Sequence, residues 1–237
     1  MKKLEITLME KTLVAKDTMN FRFKCDLEFK AGQYILIELD VENDPKGNDR
    51  PFTISSSPTD RGYIEITTKI SDSPFKQMLS SMNKGETANI SGPLGRFIFQ
   101  EDASKQAVMI AGGIGITPFR SMIRCLTDMH SEANIMLLYS NKIPEEITFK
   151  QELNDLQKKN KHLRIMHTIT RPEESKEKWP GLIGRIDETF IRKYSGNIEN
   201  NIYYVCGPPA MVDGMSQILK TMQISDDRIK VERFVGY

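Results

Sequence analysis

Two glycine-bearing turns and one arginine-led tetrapeptide are where residue types and spacing in this 237-residue chain could do chemistry. Gly112, Gly113 and Gly115 follow the apolar run AVMIAG and precede Thr117-Pro118, which opens a helix. Glycines at a strand-to-helix turn let a backbone approach a pyrophosphate, while the helix start adds N–H donors and a partial positive charge. The same residues also make an ordinary tight turn, and GGIGITP departs from the usual dinucleotide fingerprint. The second turn, Cys206-Gly207-Pro208-Pro209, follows NIYYV and puts a thiol at the carboxyl end of a parallel strand, where ligands of open sheets bind. A lone cysteine is otherwise a small buried hydrophobe. Arg50-Pro51-Phe52-Thr53 comes after an acidic loop. Its arginine fork suits a phosphate, its aromatic a flat ring and its hydroxyl a ring nitrogen. The alternative is a strand with Phe52 in a core and Arg50 in solvent. Glu232-Arg233-Phe234-Val235-Gly236-Tyr237 reads as an edge strand, with two aromatics unusually near the carboxy terminus.

Positioning these residues requires two kinds of element. From Leu4 to about Phe99 the pattern is short alternating runs broken by turn residues: LEITL, FRFK, QYILIEL, YIEITTKI, ETANI and RFIF. These read as antiparallel strands that close into a small barrel. Ser73 to Met82 interrupts them with a short helix, since Ser-Pro starts it and Phe75, Met78, Leu79 and Met82 share one face. After QEDASK the pattern becomes parallel βαβ, with strands AVMIAG, NIMLLYS, LRIMHTIT and NIYYVCG, helices PFRSMIRCLTDMH, ITFKQELNDLQKKN and PAMVDGMSQILKTM, and a last strand IKVERF. The expected organisation is a barrel domain over residues 1–101 and an α/β parallel-sheet domain over 102–237, whose tail returns to the barrel. Residues 41–49 and 172–178 are polar loops, neither a linker between mobile domains.

Composition narrows the chemistry. Lys+Arg and Asp+Glu number 33 and 32, a net charge of +1, so the basic footprint of a nucleic-acid binder is missing. No apolar run is long enough to span a bilayer and MKKLEITLMEKT lacks a signal-peptide core, so the expectation is a cytoplasmic protein with no membrane partner. Cys25, Cys125 and Cys206 lie too far apart for a disulfide framework or a thiolate cluster, and His130, His162 and His167 have no zinc-site spacing. Metal is expected to be absent, and any redox chemistry needs an organic cofactor.

Taken in order along nearly the whole chain, these pieces resemble the ferredoxin–NADP⁺ reductase family, in a form without a fused iron–sulfur segment. The resemblance implies a flavin on the barrel and a pyridine nucleotide on the second domain. Arg50-Pro51-Phe52-Thr53 is similar to the family's Arg-x-aromatic-Ser/Thr motif, which implies Arg50 on the flavin phosphate, Phe52 against the ring and the Thr53 hydroxyl near flavin N5. Ile66-Thr67-Thr68-Lys69 and Ser73-Pro74-Phe75 are similar to its next two flavin segments, the latter offering helix N-terminal amides to the pyrophosphate. Gly92-Pro93-Leu94-Gly95-Arg96-Phe97 resembles the turn that closes the barrel. Gly112 to Pro118, Trp179-Pro180-Gly181 and Cys206-Gly207-Pro208-Pro209-Ala210-Met211 resemble the nucleotide-domain segments. Two departures stand out. Phe52 takes a place where tyrosine is common, and the tail runs to Tyr237 beyond the usual Glu-x-Phe, so either Phe234 or Tyr237 covers the flavin.

The implied reaction is hydride transfer from nicotinamide C4 to flavin N5, followed by single-electron transfer to a separate acceptor such as ferredoxin, flavodoxin or an oxygenase component. Thr53 would serve N5, Cys206 the nicotinamide and Glu232 a proton, while Phe234 or Tyr237 would move aside for the nucleotide. One FAD per chain is expected, because Arg50, the Ser73-Pro74 helix start and the tail aromatics together suit a pyrophosphate and an adenine. NADPH is expected over NADH: Ser140, Asn141 and Lys142 follow one strand and Thr170 and Arg171 the next, with no carboxylate at either place. Those cations are otherwise solvated loop charges. Two alternatives stay open. One is a flavin reductase that releases its flavin. The other is a non-catalytic electron-transfer subunit of a larger complex, although such subunits carry a further cysteine cluster near the carboxy terminus, where this chain has Cys206 alone.

Overall fold

The protein is described by a computed structural model covering residues 3–42, 44–100, 102 and 104–235. The first sheet contains β1 (Lys3–Ala15), β2 (Thr18–Lys24), β3 (Tyr34–Glu38), β4 (Asp49–Thr53), β5 (Tyr63–Lys69) and β6 (Thr87–Leu94). Its order is β4-β3-β6-β1-β2-β5 and every pairing is antiparallel. A bridge between Ile54 and Ile66 joins the two edges, so the sheet closes as a barrel. Alternation sends Ile6, Leu8, Phe21, Phe23, Ile35, Ile37 and Ile64 inward, where they form one core. Helix α1 (Pro74–Ser81) adds the buried Phe75 and Leu79. At its end Lys11 Nζ donates to the Ser80 and Met82 carbonyls, satisfying groups that a helix terminus leaves open.

Two readings of this half need correction. RFIF is not a strand: residues 95–100 form an irregular connection. Its alternation serves the other domain, because Phe97 packs against Phe119 and Tyr204 at ring distances of 5.8 and 6.0 Å, and Phe99 stacks on Tyr204 at 5.9 Å. Conversely, β4 carries Asp49 to Thr53, a stretch outside the expected strands and read as one only in the alternative for Arg50-Pro51-Phe52-Thr53. Pro51 gives that stretch no ladder donor, which a terminal strand of the sheet tolerates.

The second sheet is parallel, in the order β10-β9-β8-β7-β11-β12. Its strands are β7 (Gln106–Gly112), β8 (Ile135–Asn141), β9 (Leu163–Ile169), β10 (Leu182–Ile183), β11 (Asn201–Gly207) and β12 (Ile229–Arg233). Helices α2 (Ile116–Asp128), α3 (Lys150–Lys159), α4 (Glu188–Tyr194) and α5 (Pro209–Thr221) connect them. One core holds Phe119, Ile123, Leu137, Leu153 and Tyr204, and a second holds Val108, Ile110, Tyr203, Val212 and Leu219, so the strands are apolar on both faces. The strand order reverses between β7 and β11, and their carboxyl ends carry the two glycine turns. A crevice at such a reversal is where open α/β sheets bind ligands. The short elements β10 and α4 were not among those read from the sequence. Among the described residues no helix is long and apolar enough to cross a membrane.

A buried ionic clamp ties the two sheets. Glu65 on β5 accepts from Arg22 Nε and Nη2 at 3.0 and 2.8 Å and from Arg120 Nη1 at 2.6 Å. Arg120, on α2, also donates to the Ser55 carbonyl at 3.0 Å and through Nε to both Glu152 oxygens. One turn further, Arg124 pairs with Asp60 at 2.8 Å, and Ser121 donates to the Ser56 carbonyl at 2.6 Å. The start of α2 is thereby fixed against the barrel.

Candidate active site

A cavity of about 460 Å³ lies at this junction. Its barrel wall includes Tyr34, Arg50, Pro51, Phe52, Thr53, Thr67, Thr68, Ser73 and Pro74, and the second domain contributes Ile114, Thr117, Glu232 and Phe234. Antiparallel pairing of β3 with β4 sets Tyr34 beside Thr53. Phe52 stacks on Phe75 with ring centres 5.9 Å apart and an interplanar angle of 29°. Phe52, Phe75 and Ile66 all belong to the barrel core, as the alternative reading of the tetrapeptide has it for Phe52, which also borders the cavity. Thr67 donates to Asn20 at 2.7 Å and lies 2.8 Å from the Ser55 hydroxyl, which orients it on the wall. Lys69 is directed toward the second domain, where it pairs with Glu146 at 2.8 Å.

Arg50 borders the cavity but is engaged by its own loop. Its Nη2 donates to Asp44 at 2.6 Å, and its Nη1 to the carbonyls of Lys46, Gly47 and Asp49 at 2.7–2.9 Å. The Asp44 carboxylate also accepts the backbone amides of Lys46 and Phe75. The Lys46 amide foremost, together with Arg50, holds that carboxyl below the ordinary aspartate range.

On the other wall Gly113–Gly115 form one tight helical turn that runs straight into α2, and Thr117 donates to the Ile114 carbonyl at 3.1 Å. A Cβ on Gly115 would stand 2.3 Å from the Cys206 carbonyl oxygen, so the two turns touch and only glycine fits between them. Met211 and Pro208 pack over Gly112, and Pro118 is buried in the first turn of α2. Cys206 pairs in register with Ala111 and Glu232, and burial, with Glu232 adding, pushes its thiol well above the usual value. Its side chain is fully buried and is not among the cavity-lining groups. Burial likewise raises the Glu232 carboxyl. The tail is tied back by the Phe234 amide, which donates to the Gly207 carbonyl at 2.9 Å. Tyr237 lies outside the described residues.

Ser140, Asn141, Lys142, Thr170 and Arg171 sit apart from the cavity, at the ends of β8 and β9. There the Thr170 and Arg171 amides donate to the Asn141 and Lys142 carbonyls. Arg171 pairs with Glu174 at 3.1 Å, and both side chains are 51% exposed. Tyr34, Asp44, Lys46, Lys76 and Ile114 also line the cavity and were not singled out from the sequence. Nothing local marked them: Asp44 and Lys46 belong to a polar loop, and Lys76 to the polar side of a short helix.

The chain matches the oxidoreductase FAD-binding domain family over residues 5–99 and the oxidoreductase NAD-binding domain family over residues 109–217. An NADH-cytochrome b5 reductase-like protein of Arabidopsis thaliana is 30% identical over 224 residues, covering 90% of this chain and 67% of that one. The chain belongs to the ferredoxin reductase-like family of FAD/NAD-binding oxidoreductases. The family's fold is shared with the cytochrome b5 reductase domain of Ulva prolifera nitrate reductase, at a TM-score of 0.84 and 24% identity over 98% of this chain and 97% of that one. A nitrate reductase [NADPH] of Emericella nidulans is 30% identical over 255 residues, 94% of this chain and 28% of that protein. The wall's chemistry suits a FAD-binding member: Arg50, Lys46 and Lys76 supply cations for phosphate, Thr53, Thr67 and Thr68 supply hydroxyls for a ring edge, and Tyr34, Phe52 and Phe234 supply aromatic surface.

Proposed function

We propose that this protein is an NAD(P)H-dependent, FAD-containing reductase that passes electrons one at a time to a separate acceptor protein. The observation that carries the reading is the junction cavity. It gathers the Arg50-to-Thr53 segment, Thr67, Thr68, Ser73 and Pro74 of the barrel with Thr117 and the Glu232 and Phe234 tail of the second domain. When bound there, FAD supplies the hydride-accepting ring and the step from two-electron to one-electron chemistry. The chain's own residues position and protect it. Thr53, itself buried, offers a hydroxyl on the cavity wall. Phe52 and Phe234 furnish flat surfaces, and Phe234 gives way to the nicotinamide. Glu232, whose carboxyl burial makes easier to protonate, holds or moves a proton beside the ring. Cys206 pairs in register with Glu232, and the reading gives its buried thiol a place behind the nicotinamide.

NADPH is the nucleotide favoured by the strand ends. Arg171 is half exposed, and its i,i+3 pair with Glu174 is a surface pair worth little, which a 2′-phosphate can displace. The relatives carry both nucleotides in their names, NADH in the Arabidopsis protein and NADPH in the Emericella enzyme. Those names also favour a cytochrome b5-type acceptor over a ferredoxin or flavodoxin. The test is a visible spectrum of the purified protein, chromatography of the heat-released chromophore, and anaerobic titration with NADPH and NADH, followed by reduction assays on cytochrome b5 and ferredoxin. FAD bleached by NADPH with faster turnover on cytochrome b5 is the expected result. FMN, or no chromophore after reconstitution, would overturn the reading.

A further inference from the structure

The loop between β3 and β4 carries a carboxylate in a place that a surface loop does not require. The Asp44 side chain is 2% exposed. One oxygen accepts from the Lys46 amide at 2.9 Å and from Arg50 Nη2 at 2.6 Å, and the other accepts from the Phe75 amide at 3.2 Å. Phe75 lies in the first turn of α1, so its N–H has no partner inside the helix. A guanidinium, a helix-start amide and a loop amide converging on one point are the donor set of a phosphate site. Here that set is satisfied by the chain's own anion. Two of the three donors, Arg50 and the Ser73-Pro74-Phe75 helix start, are the groups proposed above for the flavin phosphate.

We propose that Asp44 is an internal competitor for the cofactor's phosphate and thereby sets how tightly flavin is held. The proposal rests on the flavin reading of this cavity. A carboxylate that merely oriented Arg50 would hold the guanidinium from behind and leave the Phe75 amide open. The same Asp44 carboxylate takes both, so while it stays these two donors are not open to a second anion. Two anions cannot share those donors without mutual repulsion. Arg50 reinforces the closed arrangement, because its Nη1 grips three carbonyls of the loop that carries Asp44. Phosphate entry therefore requires Asp44 to withdraw from Arg50 and the Phe75 amide, and Lys76 on the cavity wall adds a cation beside those donors. Part of the phosphate's binding energy is used to displace Asp44, so the flavin is held less tightly than the same donors would hold it without that carboxylate.

The test uses the full chain stripped of flavin and rebound to FAD, FMN or riboflavin, followed by flavin fluorescence quenching. Asp44→Asn keeps the size and one acceptor oxygen while removing the charge; Asp44→Ala serves as the second variant. Both should bind FAD and FMN about tenfold more tightly, or better, than the parent protein, with riboflavin affinity unchanged because riboflavin carries no phosphate. The stripped variants should melt lower than the stripped parent, since Arg50 loses its partner, and should gain more in melting temperature on adding FAD. Weaker FAD binding by both variants would make Asp44 an orienting group for Arg50 and overturn the proposal. Equal affinity across all three proteins, or a parallel change for riboflavin, would overturn it as well. A folded parent that binds none of the three would instead defeat the flavin reading, and the proposal with it.

Discussion

Replacing Glu65 by Gln tests what holds the barrel to the nucleotide domain. The Glu65 side chain is 1% exposed and lies within 3.0 Å of nitrogens from Arg22 on β2 and Arg120 on α2. Burial alone would raise its carboxyl, but Arg120 and then Arg22 outweigh burial and hold it below the ordinary glutamate range. Removing one member of a buried pair costs about 3–5 kcal/mol, because the remaining charge stays desolvated without compensation. Gln keeps the shape and one acceptor, and Arg120 keeps Glu152, so the low end of about 3 kcal/mol is expected. For a chain of this size each kcal/mol moves the melting temperature by about 2–4 °C, which gives a fall of about 6–12 °C at pH 7.

The pH dependence supplies a second reading of the same variant. A carboxyl lowered by folding adds stability above its unfolded value of about 4.3, and that contribution is lost as pH falls through the folded value. Calorimetric melting curves of Glu65→Gln and the parent should therefore separate at neutral pH and converge below about pH 4. The double variant with Arg120→Met should lose less than the two single losses combined, by about 1 kcal/mol or more. A fall smaller than about 2 °C at pH 7, or a gap that persists unchanged in acid, would show that Glu65 does not act as the charged hub of the junction.

Three further outcomes follow from local geometry. Gly115→Ala places a methyl group 2.3 Å from the Cys206 carbonyl, so thermal melting should reveal a loss of about 1–3 kcal/mol and the KM for nucleotide should rise; no change in either would mean the two turns have room to part. Arg171→Ala should raise the KM for NADPH by the equivalent of about 1.5–3 kcal/mol while scarcely touching NADH, and steady-state kinetics with both nucleotides decides it, equal losses counting against the assignment. Glu232→Gln should melt higher than the parent at pH 8 and alike at pH 4. A carboxyl raised by burial contributes its stability below its unfolded value and loses it as pH rises through the folded one, whereas Gln stays neutral throughout.

What could be read in advance divides along the range of the interactions involved. Strands β1, β2, β3 and β5 announced themselves because one face of each is buried in a single barrel, which imposes alternation on adjacent residues. RFIF obeyed the same rule for a different reason. Phe97 and Phe99 alternate because one side of an irregular connection docks on Phe119 and Tyr204, the latter 107 positions beyond Phe97 in number, and no local pattern distinguishes that from a sheet. Helix α4 and strand β10 escaped notice through brevity, at seven and two residues. The site divides in the same way. Arg50, Thr53, Thr67, Ser73 and Glu232 sit in short motifs whose residue types suit a flavin, and the fold gathers them around one cavity. Glu65 looked like any outward strand residue until Arg120, 55 residues away, arrived to pair with it. Asp44 looked like any loop carboxylate until the Phe75 amide, 31 residues away, took it as a partner. A motif records which groups face a ligand, because those groups must recur at fixed spacing. It does not record which groups of the same chain compete for those donors, because that depends on closure of the barrel. The guanidinium of Arg50 carries both facts at once: its motif suits it to a phosphate, and its 2.6 Å contact with Asp44, which no motif records, is the contact the proposal above turns on.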